Sequence, residues 1–548
     1  MSRTPLFRML RRSLRLAQAS LRTGESAATT LERWRAAENA ARVSRRQFLG
    51  TSALAAAGAA LASCAPRRAP RTTGAGAARP VVVVGGGIAG LTAAYRLHQQ
   101  RVPVRVYEAQ SRVGGRMFSL RGHFADSQVV ELGGELIDTG HTRIRRLAAE
   151  LGVALDDLSQ EDPALATELF WFGGARRSEA EVVDAFRPVA ARIEADVATI
   201  GGDGSVTYAE PNGAEPLDRM SIAQWLDGEG VSGWFRELLD VGYTTEYGLE
   251  IDRQSALNFL LMIDPNPDPF KIFGESDERF HAHAGNDAIP AELARRLEGA
   301  IETGMVLEAV SQRLDGSWRC AFRRGSASVD VDADHLLLAI PFTLLRDVRL
   351  DVELPAVKRR AIAELGYGTN AKLMVGFAER VWRRAHRSNG SVMAELPFQT
   401  TWETSRHQAG AAGVLTNFTG GDHGVELGKG SAAEQAAALV RDLERVFPGV
   451  AAARSGMAEA RFHWPSHPWT RGSYASYLVG QWTAICGAEG ERVGRLHFAG
   501  EHCSLEAQGF MEGGCETGEA AAREILDDLG IEVPEEPREA SEEGSAAA

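Results

Sequence analysis

The chain has 548 residues, 44% of them hydrophobic and 24% charged, and a formal net charge of −13. That length allows two or three domains with a large core, and the acidic balance excludes nucleic acid as a partner while drawing cationic ligands. Its 5 cysteines include no CxxC pair, so neither a disulfide framework nor a metal site is expected of them; a Cys503–Cys515 bridge is weighed only as a minor alternative to buried thiols.

In chain order the first element is an address, not a domain. Ser44-Arg45-Arg46-Gln47-Phe48-Leu49, followed by the small-residue apolar run Gly50 to Ser63, reads as a twin-arginine export signal. Leu61-Ala62-Ser63-Cys64 has the residue types of a lipobox, in which Cys64 is acylated and becomes the mature N-terminus; cleavage nearby and an uncleaved signal are the alternatives. The run is short of the about 20 apolar residues of a membrane span. Met1 to Val43 is arginine-rich and reads as a long signal n-region, with partner binding the weaker option. Met1 to Ser63 carries 11 Arg and 3 Glu, a charge of +8, which leaves −21 on the remainder. A periplasmic or cell-envelope enzyme, lipid-anchored through Cys64, is therefore expected, with 1–64 as signal and 65–79 as linker.

Pro80 to Gly90 reads P-V-V-V-V-G-G-G-I-A-G, a buried-strand run breaking into Gly85, Gly87 and Gly90 ahead of the helical stretch Leu91 to Gln100. The first glycine permits the tight strand-to-helix turn, the second lets backbone approach a pyrophosphate, and the third lets helix and strand pack closely. A phosphate there meets the unpaired amides and positive end of the helix. The strand Val102 to Tyr107 then ends in Glu108, where a carboxylate accepts bonds from ribose hydroxyls.

Further on the chain reads as mixed α/β without internal repeats. Thr142–Leu151 and Glu179–Ile200 are predicted helices, Gly201–Pro216 a loop, and Met220–Leu260 a set of helices rich in aromatic residues. Met305–Val310, Trp318–Arg323 and Ser328–Asp332 read as a small sheet, His335–Ile340 and Leu496–Gly500 as buried strands, and Gly514–Leu529 as a helix. The expected fold is α/β: a Rossmann-like dinucleotide domain assembled from 80–150, 277–341 and 490–531, with an inserted α+β substrate domain from 151–276 and 342–489. Residues 532–548 are an acidic tail expected to be disordered.

Four further segments resemble the flavin-containing amine oxidases, the family of monoamine, polyamine and putrescine oxidases and L-amino-acid oxidases. Arg112-Val113-Gly114-Gly115-Arg116 resembles the RxGGR segment beside the FAD pyrophosphate, and Glu131-Leu132-Gly133-Gly134-Glu135 the segment passing the flavin ring. Val306 falls where the family holds the adenine through the main chain. Phe498-Ala499-Gly500-Glu501-His502 and Gln508-Gly509-Phe510-Met511-Glu512-Gly513 resemble the segment contacting ribityl chain and flavin. The resemblance covers Pro80 to Leu529 and implies FAD, with Gly500, Glu501 and Met511 among its contacts.

What the resemblance implies for chemistry is hydride transfer from the α-carbon of a neutral amine to flavin N5, giving an imine that hydrolyses to an aldehyde, with dioxygen reduced to hydrogen peroxide. Lys372 matches the lysine that reaches N5 through a water and is implicated in the oxygen reaction. Tyr474 and Phe510 match the two aromatics flanking the amine, and Trp464 a tryptophan near the flavin. Ser473 replaces the cysteine that bonds the flavin in mammalian monoamine oxidases, so FAD is expected to be non-covalent, and Gln110 replaces an arginine near the pyrophosphate. Leu136 stands where the L-amino-acid oxidases place a carboxylate-clamping arginine, a task that suits guanidinium. Flanked by Glu135 and Asp138, that position favours a second cationic centre on the substrate; an L-amino-acid oxidase, with Arg471 as the replacement clamp, and a desaturase or dehydrogenase of the same scaffold are the alternatives. His281, His283, Asp287, His463, His467 and His502 are expected to be loop or hydrogen-bonded residues, and Trp225, Trp234, Tyr243 and Tyr247 core more than substrate entrance.

Overall fold

The computed structural model describes residues 79–532, except 161, 163, 203, 266–270, 275 and 455. The export signal, the lipobox at Cys64 and the acidic tail lie outside the described residues.

A five-stranded parallel sheet carries the glycine turn. Its order is β5 (Leu496–Phe498), β4 (Leu336–Leu338), β1 (Val81–Val84), β2 (Val104–Glu108) and β3 (Ile301–Thr303), so three stretches distant in sequence build one layer. The four valines of β1 are buried on both faces, the pattern of a central parallel strand, with Val82 opposite Leu336 on one side and Val81 opposite Val104 on the other. Two helices lie together on one face: α1 (Ile88–Gln99) and, from the far end of the chain, α3 (Met511–Asp528). A Cβ at Gly518 would overlap the Ala89 carbonyl, so glycine here sets the close approach of the two helices. The helix expected from Gly514 begins at Met511, because Gly513 and Gly514 lower the local helix propensity of a first turn that tertiary packing holds.

Beside it, Val306–Gln312, Trp318–Arg324 and Ala327–Ala333 form an antiparallel sheet completed in parallel by Arg349–Asp351. A seven-stranded sheet, drawn from Leu169–Arg177 and Ala371–His463, has the wholly buried strand Ala371–Phe377 between Gly413–Thr419 and Glu459–His463. Helix α2 (Gly233–Tyr247) packs on it, Glu179–Val197 lies against α2, and Ile222–Gly228 joins the same hydrophobic core, the latter two each opened by a capping box. Trp225 and Tyr243 are core residues and Trp234 packs against that core. Cys320, Cys486, Cys503 and Cys515 are all buried free thiols, and burial pushes the Cys320 thiol up to about 12. Among the described residues no helix is long and apolar enough to cross a membrane.

Candidate active site

One deep cleft runs from the glycine turn to the seven-stranded sheet. At its nucleotide end the chain leaves β1 through Gly85, at φ +110°, where a Cβ would overlap the Ala339 carbonyl oxygen. At Gly87 a Cβ would meet nothing within 4 Å, so the backbone there faces open cleft; at Gly90 it would overlap the Gly85 oxygen. Gly87 caps α1, whose first amides lack intrahelical partners, which suits a phosphate. Glu108 lines the cleft at the end of β2, accepting the Gly86 and Gln110 N–H groups at 2.7 and 2.8 Å. Burial raises its pKa above the usual range. Val306, Gly133, Gly134, Gly500, Glu501 and Met511 all lie on the wall. This glycine-lined cradle ending in a carboxylate fits an adenine dinucleotide.

The two arginines of the RxGGR turn separate in space. Arg116 is on the wall and pairs with Glu501 at 2.7 Å, donating also to the Ser473 carbonyl at 2.8 Å. Arg112, expected to hold the cofactor, is not on the wall. Its guanidinium sits 3.9 Å from the Phe118 ring centroid and donates to the carbonyls of Val113 and Gly115 at 3.1 and 2.7 Å. Through those carbonyls it staples the turn that presents Gly114 and Gly115.

At the other end, Lys372 projects from the central strand Ala371–Phe377 and is 5% exposed. Its ammonium donates to the Gly133 carbonyl at 2.8 Å and pairs with Glu135 at 2.7 Å. The second Glu135 oxygen accepts the Trp402 indole N–H at 2.8 Å and the Thr404 hydroxyl. Burial alone would raise the Glu135 pKa, but the Lys372 charge and these hydrogen bonds outweigh it and hold the group below its ordinary value. Glu135, read from the chain as a substrate contact, lines the cleft and is also the lysine's counter-ion. Nothing local in the sequence ties Trp402 or Thr404 to Lys372: Thr400–Glu403 is a strand that leads straight into Thr404, and only the sheet order brings it to Lys372.

Trp464 donates to the Leu132 carbonyl at 2.9 Å and packs against Gly133. Tyr474 and Phe510 both line the cleft, Tyr474 donating to the Glu246 carbonyl at 2.6 Å and Phe510 lying 4.9 Å from the His141 ring. Leu136 and Tyr247 are on the wall as well. Asp138 is not: it accepts the Ser276 hydroxyl at 3.0 Å and the Glu278 N–H at 2.8 Å, and faces His141 at 3.3 Å. Its carboxylate is consumed in fastening the 276–278 segment, which corrects its reading as a substrate contact. His281 is bonded to Glu131 at 3.0 Å and Asp287 to the Ser119 amide at 3.1 Å, while burial pushes His502 down to about 3.

Two other acidic residues are on the wall where Asp138 is not. Glu246, from α2, and Glu278, in the segment Asp138 holds, both line the cleft, and their carboxylates have no hydrogen-bond or ion-pair partner among the described residues. Glu278 is exposed, yet what it exposes faces the cleft; desolvation in that recess, then Asp138, pushes it up to about 8, and desolvation likewise takes Glu246 to about 7. By contrast, among the described residues every Lys or Arg on the wall already has a carboxylate: Arg116 has Glu501, Lys372 has Glu135 and Arg471 has Asp347.

The family model of the flavin containing amine oxidoreductases matches residues 88–526. The chain belongs to this family. Similar curated proteins include an L-amino acid dehydrogenase of Synechocystis sp., 25% identical with 81% of this chain and 94% of that one covered. A flavin-containing amine oxidase of Danio rerio is 26% identical (82% and 86%), and a flavin-dependent L-tryptophan oxidase of Lentzea aerocolonigenes 25% identical (82% and 98%). Among solved structures, a putrescine oxidase bound to putrescine has a TM-score of 0.71 at 21% identity, covering 82% of this chain and 99% of its own. The cyclohexylamine oxidase of Brevibacterium oxydans matches with a TM-score of 0.71 at 21% identity (83% and 100%). The fold is that of this family, and FAD is its cofactor. No cysteine lines the cleft, and Ser473 is bonded to Asn370 at 2.6 Å, so among the described residues no thiol is in place to bond the flavin.

Proposed function

We propose that this FAD-dependent amine oxidase acts on amines that carry a second cationic centre, with dioxygen as electron acceptor. The supporting observation is the charge asymmetry of the cleft: among the described residues all its cations are paired, and the carboxylates of Glu246 and Glu278 are not. A bound flavin supplies a two-electron acceptor. The protein's part is to hold the reacting amine between Tyr474 and Phe510 while the distant ammonium meets Glu246 and Glu278, turning binding energy at the remote end into alignment at the reacting carbon. Amino acids are disfavoured, because an α-carboxylate would meet like charge and no free guanidinium.

An anaerobic panel of putrescine, spermidine, benzylamine, tryptamine and L-amino acids tests this through flavin bleaching. Diamines are expected to bleach fastest. As pH rises through about 7 to 8, Glu246 and Glu278 ionise, so kcat/KM for a diamine should climb relative to a monoamine; the monoamine cancels deprotonation of the reacting nitrogen. A flat ratio, or preferred bleaching by amino acids, overturns the assignment.

The same proposal includes export by the twin-arginine route and acylation of Cys64, supported by Ser44–Leu49 and Leu61–Cys64. Arg45→Lys/Arg46→Lys is expected to leave the enzyme in the cytoplasm on fractionation. Unchanged envelope localisation would count against it.

A further inference from the structure

Away from the cleft, a second cluster sits at the other end of β4. Leu337 of β4 is in register with His497 of β5, and His335, two residues before Leu337, shares that face of the sheet. Opposite them is the last turn of α3, where Glu524 and Asp528, four residues apart, lie on one side of the helix. One ligand atom from each of His335, His497 and Asp528 lies within 4.8 Å of the others, and the Asp528 carboxylate is 3.8 Å from His335 Nδ1.

Both imidazoles are buried, His497 at 0% and His335 at 5% exposure. His335 Nδ1 and His497 Nε2 have no hydrogen-bond partner among the described residues. Leaving such groups unsatisfied is costly, and native folds rarely do so twice in one place. The remaining nitrogen of His497, Nδ1, is 2.8 Å from Glu524 Oε2. A carboxylate behind an imidazole is the arrangement that fixes the ring and tautomer of a metal-bound histidine. Arg492 holds Asp528 at 2.8 Å, orienting it while adding an opposing charge.

We infer that His335, His497 and Asp528 bind one divalent late-transition-metal ion of the zinc class, with Glu524 orienting His497. Two imidazoles and a carboxylate match zinc or its neighbours and not the all-oxygen sets of magnesium and calcium. The expectation of no metal rested on cysteine spacing; this cluster is built from histidines 162 positions apart that only strand pairing joins. The ion would pin the end of α3 to the sheet, while the start of that helix, Met511, lies on the cleft wall.

The test uses the holoenzyme, stripped with a chelator, dialysed and titrated with Zn2+ by calorimetry, with retained zinc counted by mass spectrometry. One Zn2+ per chain is expected, with a rise in Tm. His335→Gln and Asp528→Asn should each weaken binding at least about 10-fold, the lower end of what loss of even an outer partner does, and abolish the Tm rise. Amine oxidation should be unchanged, so failure here is separate from failure of the proposed function. Should His335→Gln not fold, Asp528→Asn at the rim of the helix still decides. A wild-type protein that retains no more zinc than Asp528→Asn overturns the site.

Discussion

Above a pH of about 8, where both are ionised, replacing Glu246 and Glu278 together by glutamine is expected to raise KM for a diamine by roughly 30- to 160-fold, the equivalent of about 2–3 kcal/mol for lost charge-assisted contacts. Both carboxylates face the cleft without a partner, so their substitution strands no buried cation and the fold should persist. KM for a monoamine should change little, and kcat for either substrate should stay within a few-fold, because neither group is paired with the Lys372–Glu135 unit. Steady-state kinetics on the two substrates reads this directly. A parallel loss for mono- and diamines would mean that the two glutamates shape the cleft and do not recognise a second charge.

Lys372→Met is expected to cost about 3–5 kcal/mol of stability, because it leaves Glu135 buried without its counter-ion. The double variant Lys372→Met/Glu135→Gln should recover most of that. The pH dependence follows from the sign of the shift. In the wild type Glu135 is held below its usual 4.5, so the pair stabilises the fold above the unfolded carboxylate pKa and loses that contribution as pH falls through the depressed value. Without Lys372, burial raises the Glu135 pKa instead, so the single variant should weaken further as pH rises. Urea unfolding at pH 5 and pH 8 distinguishes the two behaviours. In stopped-flow work the same substitution should slow flavin reoxidation more than reduction by amine; equal slowing would remove Lys372 from the oxygen reaction and leave it a structural partner of Glu135.

The nucleotide half of this enzyme is legible along the chain because its chemistry is local. Gly85, Gly87 and Gly90 must follow a strand and open a helix at fixed offsets for backbone to reach a phosphate, and Glu108 must close the next strand, so spacing alone carries the geometry. Serine at 473 likewise bears on the flavin linkage through residue type alone.

The substrate half is decided elsewhere. Asp138 looks like a substrate contact in the chain, but whether its carboxylate faces the cleft depends on the 276–278 segment, more than a hundred residues away. Trp402, and Thr404 just past the end of its strand, reach Glu135 only because that strand lies in the same sheet as Lys372. Glu246 and Glu278 share a recess because a helix and a loop from different stretches converge there. Residue type and short-range periodicity encode what one turn or one strand can do; which strands become neighbours, and which charges are left without a partner, is set by packing the whole core at once.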